Sequence, residues 1–485
     1  MARSFTKNAS IVIAMRWSER LLGLISMVIL ARLLTPADFG LVAIAWLVIE
    51  LLDLVTDLGV NVALIRKKDP DDNYYNTAWT MRLIQMSLAA SVIFFSAGLF
   101  ANFYSDHRLE PLLQVLSLFF ILGGIENIRI IDFQKHMDFG KDFIFFVARK
   151  LPTIFITITL AYTFKSYWAL VIGAIIGKVI SVVISYLLVR KMPYFCLKEW
   201  RNIFGVSQWV LFRSLLLYFD NNLPKILIGK LLNTEALGLY TLSAEIAAIP
   251  TTEVLAPINR VLFPALAKSI DDTTETLKTL IRVLATQSYI ALPAAFGICI
   301  ISNDLVLVLL GSQWQSASKI LTILAFASAI TALSSCTSYL LLANGRLSIL
   351  ALVSFIQIIF FGAILYLFDN DLELTTIAYA RLASTIFGFF CLLFLITKSL
   401  NQPFIFVIIR SIFRPLTASI AMFFTLQYCS FLLIDFNASS RLISTIIIGA
   451  FLFTIFAYSL WIIGGKKDGP EQFLKTMLVR KNLKK

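Results

Sequence analysis

Long apolar stretches run through almost the whole sequence, and each is about as long as a membrane is thick. One helical span of a bilayer needs roughly 20 mostly apolar residues. A mean hydropathy of +0.83 and a charged fraction of 15% agree with this, since soluble domains carry about 25% charged residues. The chain is therefore predicted to be an all-α integral membrane protein.

The apolar stretches predict about 14 transmembrane helices. They lie near residues 8–31, 39–60, 78–100, 111–128, 143–162, 167–189, 204–226, 238–259, 280–301, 319–343, 347–368, 374–397, 412–433 and 442–463. If the N-terminus lies in the cytoplasm, the cytoplasmic segments hold most of the Lys and Arg residues, as the positive-inside rule requires. We therefore expect both termini in the cytoplasm and attribute the net charge of +13 to membrane orientation, not to nucleic-acid binding.

The five cysteines and two histidines indicate neither a disulfide framework nor a metal site. The cysteines lie far apart and mostly inside apolar stretches, where they behave as small buried hydrophobic residues. We expect no metal and no cofactor. The short loops also leave no room for the extramembrane domain that membrane glycosyltransferases and polymerases usually need, so the sequence favours a transporter over an enzyme.

Two segments of the chain resemble each other at one constant offset. Residues 31–41 read ARLLTPADFGL and residues 229–239 read GKLLNTEALGL, so the basic residue, the Leu pair, the Gly and the final Leu match 198 residues apart. Both segments end a helix that starts on the same side of the membrane. The pattern predicts a parallel repeat, with two six-helix lobes related by an axis along the membrane normal.

The repeat predicts the domain organisation. We expect an N-terminal six-helix lobe over residues 1–200, a C-terminal six-helix lobe over residues 201–400, and two additional peripheral helices over residues 401–463. Residues 464–485 form a basic cytoplasmic tail, whose spacing of apolar and basic residues indicates an amphipathic helix on the anionic inner leaflet.

The residues at the repeated corner also make local sense. Thr35 suits the N-cap of the second helix, Pro36 its first position and Asp38 its third, as in a variant of the capping box. A helix-turn-helix corner therefore explains this segment better than direct contact with a ligand.

Ionisable residues inside the predicted spans are concentrated on the first two helices of each half. An ionisable side chain at the centre of a membrane costs roughly 2.5–3.5 kcal/mol, so such residues usually face a cavity or a partner. Helix one carries Arg16, Glu19 and Arg20, helix two carries Glu50, Asp53 and Asp57, helix seven carries Arg213 and Asp220, and helix eight carries Glu245 and Glu253. Further cations on other helices are Arg82, Arg149, Lys150, Lys178 and Arg381.

Two interpretations of these charges remain open at this stage. In the first interpretation, the charges line a polar cavity between the lobes. In the second, they form buried ion pairs that fix helix packing, such as Arg213 with Asp220. The set as a whole favours a cavity of mixed charge.

The segment Arg32–Gly40, between a charged first helix and an apolar second one, resembles the opening of Wzx-type polysaccharide flippases. These are members of the polysaccharide transport family of the multidrug/oligosaccharidyl-lipid/polysaccharide superfamily. Residues 57–65, Gly238–Tyr240 and Pro257–Pro264 are similar to the same family. The resemblance extends over the whole chain in helix number, repeat and order.

The resemblance implies a flippase that moves an undecaprenyl-diphosphate-linked oligosaccharide across the bacterial inner membrane by alternating access, for exopolysaccharide, capsule or O-antigen synthesis. It implies that intramembrane cations bind the diphosphate and that acidic residues couple transport to an ion gradient. The expected headgroup-binding residues are Arg16, Arg20, Arg82, Arg213, Arg149, Lys178 and Arg381, and the expected ion-coupling residues are Glu50, Asp53 and Asp57. The expected partners are membrane lipid, a polysaccharide polymerase and chain-length proteins, but not nucleic acid.

Two alternatives have different sequence requirements. A multidrug exporter of the same superfamily typically has twelve helices and a cavity suited to organic cations, so fourteen helices and an Arg-bearing first helix favour the flippase. An enzyme acting on polyprenyl lipids needs a cluster of acidic, His or metal-binding residues at a loop edge, and the sequence contains none that is evident.

Overall fold

Every element that the structure describes is helical. The structure, a computed structural model, describes residues 2–56, 59–203, 208–255, 272–368, 372–400, 402–433 and 435–464. The sequence motif at Pro257–Pro264 and almost all of the basic tail lie outside these ranges.

The helices before residue 255 alternate between long, apolar segments and short connecting ones. They are α1 (Ala2–Leu33), α2 (Pro36–Thr56), α3 (Val60–Arg66), α4 (Asp72–Tyr104), α5 (Leu109–Ile125), α6 (Ile131–Lys135), α7 (Phe139–Phe164), α8 (Trp168–Leu188), α9 (Trp200–Ile203), α10 (Gln208–Leu231) and α11 (Thr234–Ile249). A π-helical turn, Pro250–Val254, follows α11 directly.

The remaining helices are mostly long. They are α12 (Thr273–Leu309), α13 (Ala317–Ala343), α14 (Leu347–Leu367), α15 (Leu374–Ser399), α16 (Phe404–Ser411), α17 (Phe413–Cys429) and α18 (Ala438–Ile463).

Nine of the described helices are long and apolar enough to cross a membrane, or eleven if each of two bent pairs counts as one span. The bent pairs are α5 with residues Ile128–Lys135, at 65°, and residues Ile405–Ser411 with α17, at 52°. The three other predicted spans coincide with α1 and α10, which carry several charges, and with α11, which has 16 residues. The chain is a multi-pass helical membrane protein, as predicted, while the number of fourteen spans stays a prediction.

Some predicted boundaries differ from the observed helix ends. The predicted span 111–128 ends as a helix at Ile125, whereas the predicted span 412–433 comprises α17 and the 3-10 turn Ser430–Leu433 that follows it. The predicted span 280–301 lies within α12, which extends from Thr273 to Leu309. Polar residues are frequent in its first two turns, and the polar residues 302–304 interrupt the apolar sequence before its last turn. Hydropathy detects the apolar middle of such a helix and misses the turns that lie beyond polar residues.

Helix starts are fixed by the residues that the sequence places there. Oδ2 of Asp38 accepts hydrogen bonds from the Thr35 backbone N–H at 3.0 Å and from its hydroxyl at 2.6 Å, and Thr35 Oγ1 accepts from the Asp38 N–H at 3.3 Å. This reciprocal pair confirms the predicted capping box. Asp71 caps α4 and Asp272 caps α12 in the same general way.

The chain forms two compact units. The first comprises Met1–Tyr218 and Lys225–Gly238, and the second comprises Phe219–Pro224 and Leu239–Lys485. Within the first unit, α4 packs along α5, α7 along α8, and α5 against α8. Within the second, α12 packs along α13, α14 along α15, and α13 against α15, while α17 and α18 pack on α12. The same pairs of predicted spans therefore pack together in each half.

The segment after α8 is bound along one face of α4. Side chains spaced i, i+3, i+4 and i+7 on α4 lie on one face of a helix and accept hydrogen bonds from this segment. The acceptors are Asn73, Asn76, Thr77 and Thr80, and the donors are the Tyr194 hydroxyl and the backbone N–H groups of Tyr194, Cys196 and Glu199. The chain that leaves α8 is thus held on the first unit.

Asn127 joins the same segment to the break after α5. Its side-chain amide donates to the carbonyls of Val189 at 3.1 Å and Lys191 at 3.0 Å, and its Oδ1 accepts from the Arg129 N–H at 3.1 Å. The residue is 1% exposed. One side chain therefore satisfies three backbone groups where a helix ends inside the protein.

Replacing Asn127 by Ala is expected to lower the free energy of unfolding by about 1–3 kcal/mol, because buried backbone groups lose their partners. The apparent melting temperature of the purified protein in detergent measures the loss. Asn437→Ala is the matched control, since Asn437 lies at an exposed turn and its side chain makes no capping hydrogen bond. The two variants losing equal stability would contradict the assignment.

Candidate functional site

The first unit holds a cluster of three charged side chains from three helices. Nζ of Lys178 on α8 lies 2.8 Å from Oε2 of Glu126, and the Ser181 hydroxyl donates to Oε1 of the same carboxylate at 3.0 Å. Arg82 on α4 also attracts the Glu126 carboxylate electrostatically. The Glu126 and Lys178 side chains are 9% and 17% exposed, so the ion pair is largely buried.

Small residues at the end of α5 allow this cluster to form. A Cβ added to Gly123 would lie 3.2 Å from Cε of Lys178, and one added to Gly124 would lie 3.1 Å from Cα of Leu83 on α4. A larger side chain at Gly124 would press on the α4 backbone, and one at Gly123 would displace the end of the Lys178 side chain. The helix then stops, because the backbone of Glu126 leaves the helical region, and the carboxylate lies where the three helices meet.

The charges of this cluster do not cancel. Lys178 is paired with Glu126 and Arg82 acts on the same carboxylate electrostatically, so the three side chains carry a formal charge of +1. Lys178 Nζ also lies 5.4 Å from the centroid of the Phe119 ring, whose face attracts a cation. A positively charged group that is held inside a membrane helix bundle can attract an anionic ligand, and its own carboxylate lowers the cost of keeping two cations there.

The second unit holds a related ion pair. Nη1 of Arg381 on α15 donates to the Asp220 backbone carbonyl at 2.8 Å and lies 3.2 Å from its Oδ1. The Arg381 and Asp220 side chains are 14% and 16% exposed. Lys178 and Arg381 thus occupy the sixth predicted helix of their respective halves, and each is neutralised by a carboxylate from another helix of the same unit.

The other predicted site residues that the structure describes lie on α1, α2 and α7. Arg16 and Arg20 are half-buried on α1, and Arg149 is half-buried on α7, where its guanidinium lies 5.2 Å from the Phe145 ring centroid. Glu50 and Asp53 lie on the exposed face of α2, opposite its buried face. Asp57 and the side chain of Arg213 lie outside the described part of the structure.

Glu126 was not among the predicted site residues. It lies at the end of a predicted span and outside the charged first two helices of each half. The sequence does carry a signal for this site. The run Gly123–Asn127 contains two glycines followed by an acidic residue and an Asn, which together indicate the end of a helix beside a charged side chain. Among the described residues, no group of three or more His, Cys, Asp or Glu side chains converges to hold a metal ion.

Comparisons with known proteins give a consistent result. Residues 29–319 match the model of a family described as polysaccharide biosynthesis protein. The chain is 26% identical over 337 residues to the lipopolysaccharide biosynthesis protein WzxC of Escherichia coli, covering 68% of each chain. It is 24% identical over 351 residues to the succinoglycan biosynthesis transport protein ExoT of Rhizobium meliloti, covering 70% of this chain and 69% of the relative.

The fold is similar to a solved structure. The structure titled lipid II flippase MurJ, inward closed conformation, superposes with a TM-score of 0.73 over 93% of this chain and 99% of that chain, at 15% sequence identity. At this identity the likeness concerns the fold.

Breaking the buried pair is expected to cost more than removing it. Glu126→Leu leaves Lys178 buried without its carboxylate and should lower the free energy of unfolding by about 3–5 kcal/mol, while Glu126→Leu/Lys178→Met should recover part of that loss. Thermal unfolding in detergent measures both.

The matched control for this comparison is Lys141→Met. Its ion pair with Asp138 is exposed, at 60% and 40%, and should be worth no more than about 1 kcal/mol. If the double variant were as unstable as Glu126→Leu alone, the unpaired charge of Lys178 would not be the cause of the lost stability.

Proposed function

The chain belongs to the polysaccharide biosynthesis protein family, and we propose that it is a flippase that translocates a lipid-linked oligosaccharide across a bacterial inner membrane by alternating access. The match of residues 29–319 carries the proposal. The transport protein ExoT among its relatives and the flippase fold of MurJ support it. The translocated oligosaccharide is then used for exopolysaccharide, capsule or O-antigen assembly.

The cargo class explains why cations are kept inside the helix bundle. An undecaprenyl-diphosphate headgroup is anionic and has to cross a layer with no water, where an unpaired charge is costly. Arg and Lys side chains bind phosphate oxygens, and Arg does so with two parallel hydrogen bonds. We assign headgroup contacts to Arg16, Arg20, Arg82, Arg149, Lys178, Arg213 and Arg381.

Two of these cations, Lys178 and Arg381, already have an anionic partner within the protein. Glu126 neutralises Lys178, and Asp220 neutralises Arg381. An arriving diphosphate competes with each carboxylate for its cation. Binding therefore exchanges one anionic partner for another, which costs less than stripping water from a free ammonium or guanidinium group.

The lipid tail needs no site of the same kind. It stays in the bilayer while the headgroup and sugars move through the polar interior, so the protein has to shield only the polar part of the cargo. Polar groups of the cavity bind the sugars.

The acidic stripe of α2 is assigned to ion coupling. Glu50 and Asp53 are exposed on this helix, where a proton or Na⁺ can reach them, and Asp57 follows one turn later in the sequence.

We place both termini in the cytoplasm, on the distribution of Lys and Arg. The chain acts as a transporter and not as an enzyme, and a polysaccharide polymerase with its chain-length proteins receives the cargo. The N-terminal lobe over residues 1–200, the C-terminal lobe over 201–400 and the two helices over 401–463 are the units of this mechanism.

Deleting the gene should leave lipid-linked oligosaccharide facing the cytoplasm and remove one surface polysaccharide. Accessibility of the glycan to an external glycosidase in spheroplasts measures translocation, and complementation with the native gene is the control. Repeat units that still reach the outer face, in a strain without a second flippase, would contradict the proposed function. Export of an organic cation with unchanged polysaccharide would favour a multidrug exporter instead.

Arg16→Ala, Arg20→Ala and Arg82→Ala should each slow translocation by about 10–100-fold, because a charge-assisted hydrogen bond to the headgroup is worth roughly 1.5–3 kcal/mol. Complementation and the rate of glycan exposure in spheroplasts measure the loss, with membrane levels checked by immunoblot. Lys141→Ala is the control, since this cation is 60% exposed and outside the clusters. Full activity in all three variants would remove the assigned headgroup contacts.

A further inference from the structure

The segment after α8, residues 189–201, has its polar contacts on the inside and large apolar side chains on the outside. The backbone N–H groups of Tyr194, Cys196 and Glu199 donate to side chains of α4 at 3.2, 3.0 and 3.3 Å. The large exposed side chains are Met192 at 75%, Tyr194 at 53%, Phe195 at 74%, Leu197 at 49% and Trp200 at 46%. An apolar surface of this kind marks contact with a membrane or with another protein.

The segment is fixed in this orientation by further contacts within the first unit. The side-chain amide of Asn127 donates to the carbonyls of Val189 and Lys191, so the start of the segment cannot turn over. Further along, the Phe195 ring packs edge to face on the ring of Trp79, with centroids 5.4 Å apart. The outward apolar face is therefore a fixed feature of the first unit.

Basic side chains are interleaved with the apolar ones. Residues 190–201 read RKMPYFCLKEWR, so four basic residues and one acidic residue give a formal charge of +3. One of the cations is neutralised, because Nζ of Lys191 lies 2.6 Å from the Asp72 carboxylate. Lys198 and Arg201 are exposed, and the Arg201 guanidinium lies 5.5 Å from the Trp200 ring centroid. The surface therefore suits a partner that is both apolar and anionic.

The apolar surface of the segment continues an exposed apolar side of α8. Val183 and Leu187, in the last turns of this apolar helix, are 51% and 69% exposed, and the segment begins directly after it. Tyr and Trp are enriched where a membrane meets water, whereas Lys is depleted at protein–protein interfaces. A surface that combines these residue types at the end of a span fits the headgroup region of a bilayer better than it fits a protein.

We propose that residues 190–201 bind anionic phospholipids of the leaflet at this end of α8. Phe195, Leu197 and Trp200 enter the boundary between headgroups and acyl chains, and Lys198 and Arg201 bind the lipid phosphates. By the proposed orientation this is the cytoplasmic leaflet, whose anionic lipids attract basic segments. The site is independent of the proposed cargo and fastens the first unit to the membrane surface.

Spin labelling tests where the segment lies. In a variant with the five native cysteines replaced by Ser, a nitroxide is attached at Leu197→Cys, and the protein is reconstituted in vesicles of phosphatidylcholine and phosphatidylglycerol. The label should collide more often with oxygen, which enters the bilayer, than with a water-soluble nickel chelate. A label at Asp69→Cys, in the exposed loop before α4, is the control and should favour the chelate. If both labels favour the chelate, the segment lies in water and the proposal is wrong.

Lipid competition tests which headgroup the segment binds. A fluorophore at Leu197→Cys is quenched by brominated lipids in the same vesicles, and quenching by phosphatidylglycerol relative to phosphatidylcholine gives the preference for the anionic headgroup. Lys198→Gln and Arg201→Gln should each lower this preference about fivefold, as expected for one basic residue beside an anionic membrane surface. About 0.5 M NaCl should also lower it, because salt screens exposed charges.

Three controls make the result specific to this surface. Lys198→Arg combined with Arg201→Lys keeps both charges and should keep the preference. Lys141→Gln removes an exposed cation elsewhere in the first unit and should keep it as well. Native preference in the double Gln variant, or its loss in millimolar inorganic phosphate, would overturn the phospholipid site. Either result would leave the proposed function standing, since glycan exposure in spheroplasts tests that function separately.

Discussion

Hydrocarbon offers no partner for a hydrogen bond, so every backbone N–H and C=O that enters the bilayer has to be satisfied within the protein. This constraint explains why each described element is a helix, with α12 continuous over 37 residues. It also explains the side chains found where a helix stops. Asn127 satisfies three backbone groups after α5, and a row of Asn and Thr side chains on α4 satisfies the extended segment after α8.

The same absence of water governs the charged residues. Lys178 and Arg381 occupy corresponding helices of the two halves, and each has a carboxylate from another helix within its own unit. A paired cation can remain in a membrane at a tolerable cost, whereas a bare one cannot. Under the proposed function, an anionic headgroup would replace the internal carboxylate as the partner of each cation. The same pair would then serve packing and binding, and the sequence does not show which carboxylate lies beside which cation.

The repeat links these features to the family. Its corners are local structures, built from caps and turns. The match of residues 29–319 to the polysaccharide biosynthesis protein family confirms the resemblance. The contact between Gly40 and Gly238 adds a tertiary reason for glycine in a motif that local capping alone explains only in part.

The sequence by itself determined the helical membrane class, the family and the cap at Thr35 and Asp38. Each of these depends on residues near one another in the chain: twenty apolar positions for a span, four positions for a cap. Only the tertiary structure decided which charges meet. Glu126 and Lys178 are 52 positions apart, and Asp220 meets Arg381 from 161 positions away, whereas the sequence had offered Arg213 as its partner. Hydropathy states that a helix lies in the membrane but not which neighbour it packs against or how it is rotated, and a buried ion pair depends on both.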